Sequence, residues 1–291
     1  MIRKHQLPAF FNTGLSRSFS LLFAPFRALF CLMWFLVLLG VNQAFGHFSM
    51  LFPNAPSVKK GDQIAVVYQW GHPFEHQIFD AQPPAQTLAI APDGKLITLK
   101  GEETSISDSN KRHRAEQFRL PADLRGDYVF LTKSAPIWMA DDQEFLLDYA
   151  KVIVHVQAQK GWDASFSHLV KENADMVEMV PLTRPYGLQP GMTFQAQFLS
   201  AGKPQVAALV EIERYNPAPP GALPADEHIT RTAKTDPNGI VTCTLTDPGW
   251  WCIAGQCDGG TAMRDGKSFP VRKRAILWVY VDEKVATNSS K

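Results

Sequence analysis

His47, His72 and His76 are the residues of this chain best placed to do chemistry. The last two flank a carboxylate in Gly71-His72-Pro73-Phe74-Glu75-His76, directly after the strand-like run IAVVYQW (64–70). Neutral imidazole is the commonest side-chain ligand for transition metals near neutral pH. Pro73 argues against a helix, so the spacing cannot work as two histidines on one helical face. In an extended segment, however, residues four apart share a face, and His72 and His76 are expected to converge. Glu75 would be a third ligand or an acceptor that orients an imidazole N–H. His47 joins the set if the chain is cut before it, because a free α-amine and the imidazole of the same residue can chelate one ion, the geometry called a histidine brace. Three imidazoles and an amine suit nickel, cobalt, copper or zinc, with geometry choosing among them.

The first 46 residues argue for such a cut. Arg3, Lys4, Arg17 and Arg27 are their only charged side chains apart from a histidine, and no acid accompanies them. The apolar run ALFCLMWFLVLL (28–39) is shorter than the roughly twenty residues of a transmembrane helix and suits the core of a signal peptide. Ala44 and Gly46 place small residues at −3 and −1 of a cut between Gly46 and His47; an uncleaved anchor is the alternative. Removing 46 of the 291 residues, with four of the 29 basic ones and none of the 28 acidic, would leave 245 residues at a formal charge of −3. The expected product is exported or periplasmic and soluble, and its slight acidity suits a cation better than nucleic acid.

The remaining candidates are weaker. Cys243, Cys252 and Cys257 would follow the protein into an oxidising space. Thr246-Asp247-Pro248-Gly249 reads as a hairpin turn that sets Cys243 opposite Cys252, at a separation a disulfide can span. Cys252 with Cys257 is the rival pair, and either leaves one thiol over. His155 lies in the apolar run KVIVHVQ and reads as a satisfied sheet histidine, while His113 reads as part of a solvated basic loop, Lys111-Arg112-His113-Arg114. GxSxG, Walker A and HExxH motifs are all absent, so no enzyme is expected.

Short β-type runs with turn signals recur along the chain, among them QTLAIA (86–91), KLITLK (95–100), DYVFLTK (127–133), MTFQAQFLS (192–200), IVTCTLT (240–246) and RAILWVYVD (274–282). The pattern is that of an all-β protein built from two β-sandwich domains after an N-terminal signal helix. The expected boundaries are a signal peptide over 1–46, a first sandwich over 47–162 carrying the metal site, a linker with a short helix over 163–180, a second sandwich over 181–285 and a tail over 286–291. The prolines of NPAPPGALPADE (216–227) exclude a central strand there and leave a rigid surface loop.

Several segments carry a family resemblance. HFSMLFP (47–53), WGHPFEH (70–76) and YAKVIVHVQAQKGWD (149–163) resemble the first domain of the NikM-like/CbiK-like exported proteins, the periplasmic components of nickel/cobalt uptake systems that are also described as a domain of unknown function. PLTRPYGLQPGMTFQAQFLSAGKPQ (181–205) and the TDPNG…DPGWW stretch within 213–254 are similar to that family's second half. The resemblance implies two sandwiches, immunoglobulin-like and prealbumin-like, with nickel or cobalt as the favoured ion. It implies His47, His72, His76 and Glu75 as metal residues and a membrane uptake transporter as partner. The competing expectations are a structural or interaction sandwich without metal, and a copper protein using the His47 brace.

Overall fold

The computed structural model describes residues 46–108, 111–157, 162, 165–173 and 175–284. The expected signal peptide before Gly46, part of the 163–180 linker and the 286–291 tail lie outside the described residues. The fold is all-β, as expected, and the described residues form three sheets.

A ten-stranded sheet forms the middle layer. Its strands run in the order Thr230–Lys234, Leu209–Arg214, Gly249–Arg264, Lys267–Val281, Glu144–Val156, Gly126–Lys133, Gln86–Ile90 and Leu96–Thr98, with Ile137–Met139 and Ser57–Val58 also paired to Glu144–Val156. Both the 47–162 and the 181–285 segments contribute strands to it, joined by the parallel pairing of Glu144–Val156 with Lys267–Val281. On one side lies a five-stranded sheet of Phe48–Pro53, Gln63–His72, Lys111–Pro121 and Glu102–Asp108, with Gln77–Phe79 attached to Gln63–His72. On the other lie Val177–Pro181, Met192–Ser200, Lys203–Pro204 and Ile240–Leu245.

Strand alternation explains why the middle strands are apolar throughout rather than at every second residue. Along Lys267–Val281, Ala275, Leu277, Val279 and Val281 enter one core while Ile276 and Trp278 enter the other. Ile153 does the first and Val152, Val154 and Val156 the second. Strands buried on both faces read as continuous hydrophobic runs. RAILWVYV and KVIVHV have that composition.

Two buried ion pairs interrupt these cores. Arg274 donates Nε and Nη2 to the two oxygens of Asp148 at 2.7 and 2.8 Å, and Lys151 Nζ lies 2.7 Å from Glu178 Oε1. The strand Phe48–Pro53 is tied to the first of them. Ser49 donates its backbone N–H to Asp148 Oδ2 at 3.2 Å, and its carbonyl accepts the Trp278 indole N–H at 3.0 Å.

The structure corrects the cysteine expectation. Ile240–Leu245 pairs with Met192–Ser200, whereas Gly249–Arg264 pairs with Leu209–Arg214 and Lys267–Val281. Asp247-Pro248-Gly249 therefore carries the chain from one sheet to another instead of closing a hairpin. Cys243 lies opposite Phe194 and Cys252 opposite Trp278 and Glu213, so the two cysteines do not face each other. Cys252 and Cys257, an odd number of residues apart on one strand, enter opposite cores and cannot bridge. All three thiols are free. His113 is also not in a solvated loop; it is buried within Lys111–Pro121, 3.8 Å from Asp80. His155 is hydrogen-bonded to Asp127 at 2.7 Å and stacked on Tyr186, as a satisfied sheet histidine should be. The short helix expected in the linker is Ser167–Glu172. Among the described residues no helix is long and apolar enough to cross a membrane.

Candidate metal centre

His47 immediately precedes the edge strand Phe48–Pro53, and His72 ends the strand it pairs with. The antiparallel register sets Phe48 opposite Gly71 and Ser49 opposite Trp70, so one step further brings His47 opposite His72. Ser49 turns its N–H away from its neighbour strand to Asp148, which makes the Ser49–Trp70 pair the non-hydrogen-bonded kind. His47 and His72, two residues along, continue that class, in which side chains stand closest. Their ring centroids are 3.9 Å apart at an interplanar angle of 50°.

The same alternation surrounds the pair with aromatic rings. Trp70 is two residues before His72, and Phe79 faces Trp70 across the next strand. His47 stacks on Trp70 at 4.8 Å and on Phe79 at 5.3 Å, and Phe79 meets His72 edge-on at 5.7 Å. The rings are half-buried as a result. Burial lowers the pKa of both imidazoles, and for His47 burial together with the His72 ring takes it to about 3. Both are therefore neutral at pH 7, each ring keeping one nitrogen with a lone pair. The Nδ1 atoms of His47 and of His72 are each buried without a hydrogen-bond partner, and so is Glu75 Oε2. Buried polar atoms are normally satisfied, so such a set calls for an explanation.

His76 does not join the pair. Residues 73–76 form a turn, with His76 N–H bonded to Pro73 C=O at 3.4 Å and His76 itself in the left-handed region at φ 53°. The extended geometry on which convergence depends is absent. The His76 ring instead places Nδ1 2.8 Å from the Asn216 carbonyl and packs near Tyr215. Among the described residues no three His, Cys, Asp or Glu side chains converge on one point. Of the four expected donors, the structure brings together the rings of His47 and His72.

The loop that presents His72 is held by residues whose role is not apparent from sequence. Asn216 donates its N–H to Pro73 C=O at 3.0 Å and its amide to Phe74 C=O at 2.5 Å. Glu213 accepts the Phe74 N–H at 3.1 Å and the Thr230 hydroxyl at 2.5 Å. Gly71 is required because a Cβ there would collide with the Gln77 carbonyl oxygen of the adjacent strand. A charged residue inside the apolar alternation VAALVEIERY is the available hint to Glu213, which is fully buried.

Burial pushes the Glu213 carboxyl from 4.5 up to about 8. The folded chain then keeps a proton that the unfolded chain releases, so stability falls as pH rises from about 4.5 to about 8. His47 acts in the opposite sense below 6.5, where the unfolded state takes up its proton first. Glu213 is isolated from this effect between pH 6.5 and 8. In a chain that retains Gly46, urea-unfolding stability should fall across that window by at most about 1.4 kcal/mol per pH unit. Glu213→Gln should flatten the slope, and an unaltered slope in the variant would contradict the assignment.

No curated protein matches the chain. Similar solved structures include a DUF4785 family protein from Legionella pneumophila, at 11% identity over 74% of this chain and 53% of that one, with a TM-score of 0.27. The chain thus spans about half the length of that protein. The D0-D1 domain of Intimin is similar at 14% identity over 81% of this chain and all of that one, with a TM-score of 0.20. Trypsin-activated alpha-2-macroglobulin from Escherichia coli is similar at 15% identity over 81% of this chain and 16% of that one, with a TM-score of 0.23. Residues 44–257 match the family described as Domain of unknown function (DUF4198), and the chain belongs to that family.

Proposed function

We propose that this protein is an exported, non-enzymatic carrier of a divalent transition metal, nickel or cobalt, held at His47 and His72. The observation that carries the reading is the pair of imidazoles with ring centroids 3.9 Å apart, each with a buried Nδ1 that has no partner. Imidazole nitrogen suits nickel, cobalt, copper and zinc, and two rings from facing strands form a rigid two-point donor set. Hydrolysis of the Gly46–His47 peptide bond during export would leave Gly46 with a carboxylate and His47 with a free α-amine. That amine and its own imidazole would form a chelate, with His72 as the third nitrogen. Glu75 also has an unpartnered oxygen, but it does not converge with the two rings, so the donor added to them in this reading is the amine and not a side chain. The resemblance of HFSMLFP and WGHPFEH to NikM-like/CbiK-like proteins supports nickel or cobalt, and a membrane uptake system as the recipient.

A second reading has one observation in its favour. An N-terminal amine, its imidazole and a second histidine make up a histidine brace, and His72, whose ring centroid is 3.9 Å from that of His47, would serve as that second histidine. Copper in such a site would carry out oxidative chemistry.

The test uses protein released to begin at His47 with no added residue, beside protein that begins at Gly46. Titration calorimetry with Ni²⁺, Co²⁺, Cu²⁺ and Zn²⁺ should give one equivalent, bound at least tenfold more tightly by the first form. Failure of every metal to bind stoichiometrically would leave an interaction sandwich without metal. Copper-dependent peroxide formation would favour the brace.

A further inference from the structure

Gly46 is buried, beside Glu213, Phe48 and Thr230. Glu213 Oε2 lies 2.8 Å from the position a Cβ on Gly46 would occupy, and Thr230 Oγ1 lies 3.4 Å from it. Glu213 itself has no exposed surface. Its two oxygens accept the Phe74 N–H and the Thr230 hydroxyl, and among the described residues no cation pairs with it. A fully buried carboxylate without a positive partner is unfavourable, and burial accordingly favours its protonated form. Its position beside the residue that precedes His47 suggests what would complete it. Loss of Gly46 would open the space that Gly46 fills and leave the His47 nitrogen, until then bonded to the Gly46 carbonyl carbon, as a free amine next to it.

We infer that Glu213 receives the α-amine of His47 in the processed protein and fixes its direction towards the ion shared with His72. The inference rests on the metal reading above and adds a positioning residue to it. As an ammonium, the terminus would give Glu213 the cation it lacks. As a metal ligand, the amine still has two N–H bonds, and Glu213 can accept one of them. Carboxylates that accept from a ligating group orient it and raise its donor strength. Glu213 would thereby link the terminus to the His72 loop, since the same carboxylate holds the Phe74 N–H.

A double-mutant cycle tests this: wild type and Glu213→Gln, each beginning at His47 and each beginning at Gly46. With Ni²⁺ as the probe, the substitution should weaken binding by about 10–100-fold in the His47 form and by no more than about threefold in the Gly46 form. In metal-free protein, it should lower the melting temperature by about 2–4 °C in the His47 form. In the Gly46 form the melting temperature should hold or rise. A residue with a purely structural role would shift both forms alike, and that result, or no shift in either, overturns the inference. If no form binds metal while the melting cycle still shows the difference, the amine contact stands and the metal reading falls. Metal binding that depends on the free terminus but is indifferent to Glu213 would leave the metal reading standing and overturn the role of Glu213.

Discussion

His72→Ala, in protein that begins at His47, is expected to abolish tight metal binding, while His76→Ala leaves it within a few-fold of wild type. Loss of an outer-shell partner commonly costs about 10–100-fold in metal affinity, and loss of one of two imidazole ligands should exceed that. His72 is the ring 3.9 Å from His47, whereas His76 is committed to the Asn216 carbonyl. His76→Ala should show up in stability instead, at about 1 kcal/mol for one hydrogen bond. The two variants differ by four positions in one loop, and their contrast separates a specific pair from a histidine-rich segment that binds metal loosely. Equal effects on affinity, or a larger effect of His76→Ala, would sink the assignment. The readout is the dissociation constant for Ni²⁺ from competition with a chelator of known strength.

Asp148→Ala should be the most damaging single substitution away from the site, lowering unfolding free energy by about 3–5 kcal/mol. Arg274 is 3% exposed and its charge is satisfied by Asp148 through two short hydrogen bonds. Removing the carboxylate leaves a guanidinium in the core and also orphans the Ser49 N–H. Replacing both partners, Asp148→Leu with Arg274→Met, should recover much of the loss, because the damage comes from the unpaired charge and not from missing attraction. Urea unfolding of the two variants beside the wild type measures this directly; a loss below about 1 kcal/mol in Asp148→Ala would mean that water reaches the pair. Ser49 lies two residues from His47 in the edge strand, so the variant should also weaken metal binding by loosening the strand that sets His47 opposite His72.

The strands themselves are legible in sequence. MTFQAQFLS (192–200) forms Met192–Ser200, and DYVFLTK (127–133) falls within Gly126–Lys133. QTLAIA (86–91) and KLITLK (95–100) supply two paired strands, with Ile90 opposite Leu96. The extension of the final hairpin is not legible, because residues 255–264 are mostly polar or glycine and lack an apolar face. Its backbone pairing with Lys267–Val281 supplies what hydrophobic alternation does not.

Register arithmetic across a turn shows where such reading stops. Applied to Cys243 and Cys252 it produces a false pair, because Ile240–Leu245 and Gly249–Arg264 enter different sheets. Applied to Phe48–Pro53 and Gln63–His72 it brings His47 to His72, because those strands do pair. His76 fails for a more local reason, a turn in place of an extended segment.

What the sequence determined by itself is therefore local: which segments become strands, where the prolines forbid them, and that His47 and the HPFEH segment carry the donor atoms. Period-two alternation and turn residues act within a few positions and can be read there. Tertiary structure alone decided which donors meet. The Phe74 N–H and Glu213 are 139 residues apart, and Ser49 and Asp148 are 99 apart. Such contacts depend on which strands lie side by side when both faces of the ten-stranded sheet are covered, and that choice minimises the exposed apolar area of the whole chain rather than of any one segment.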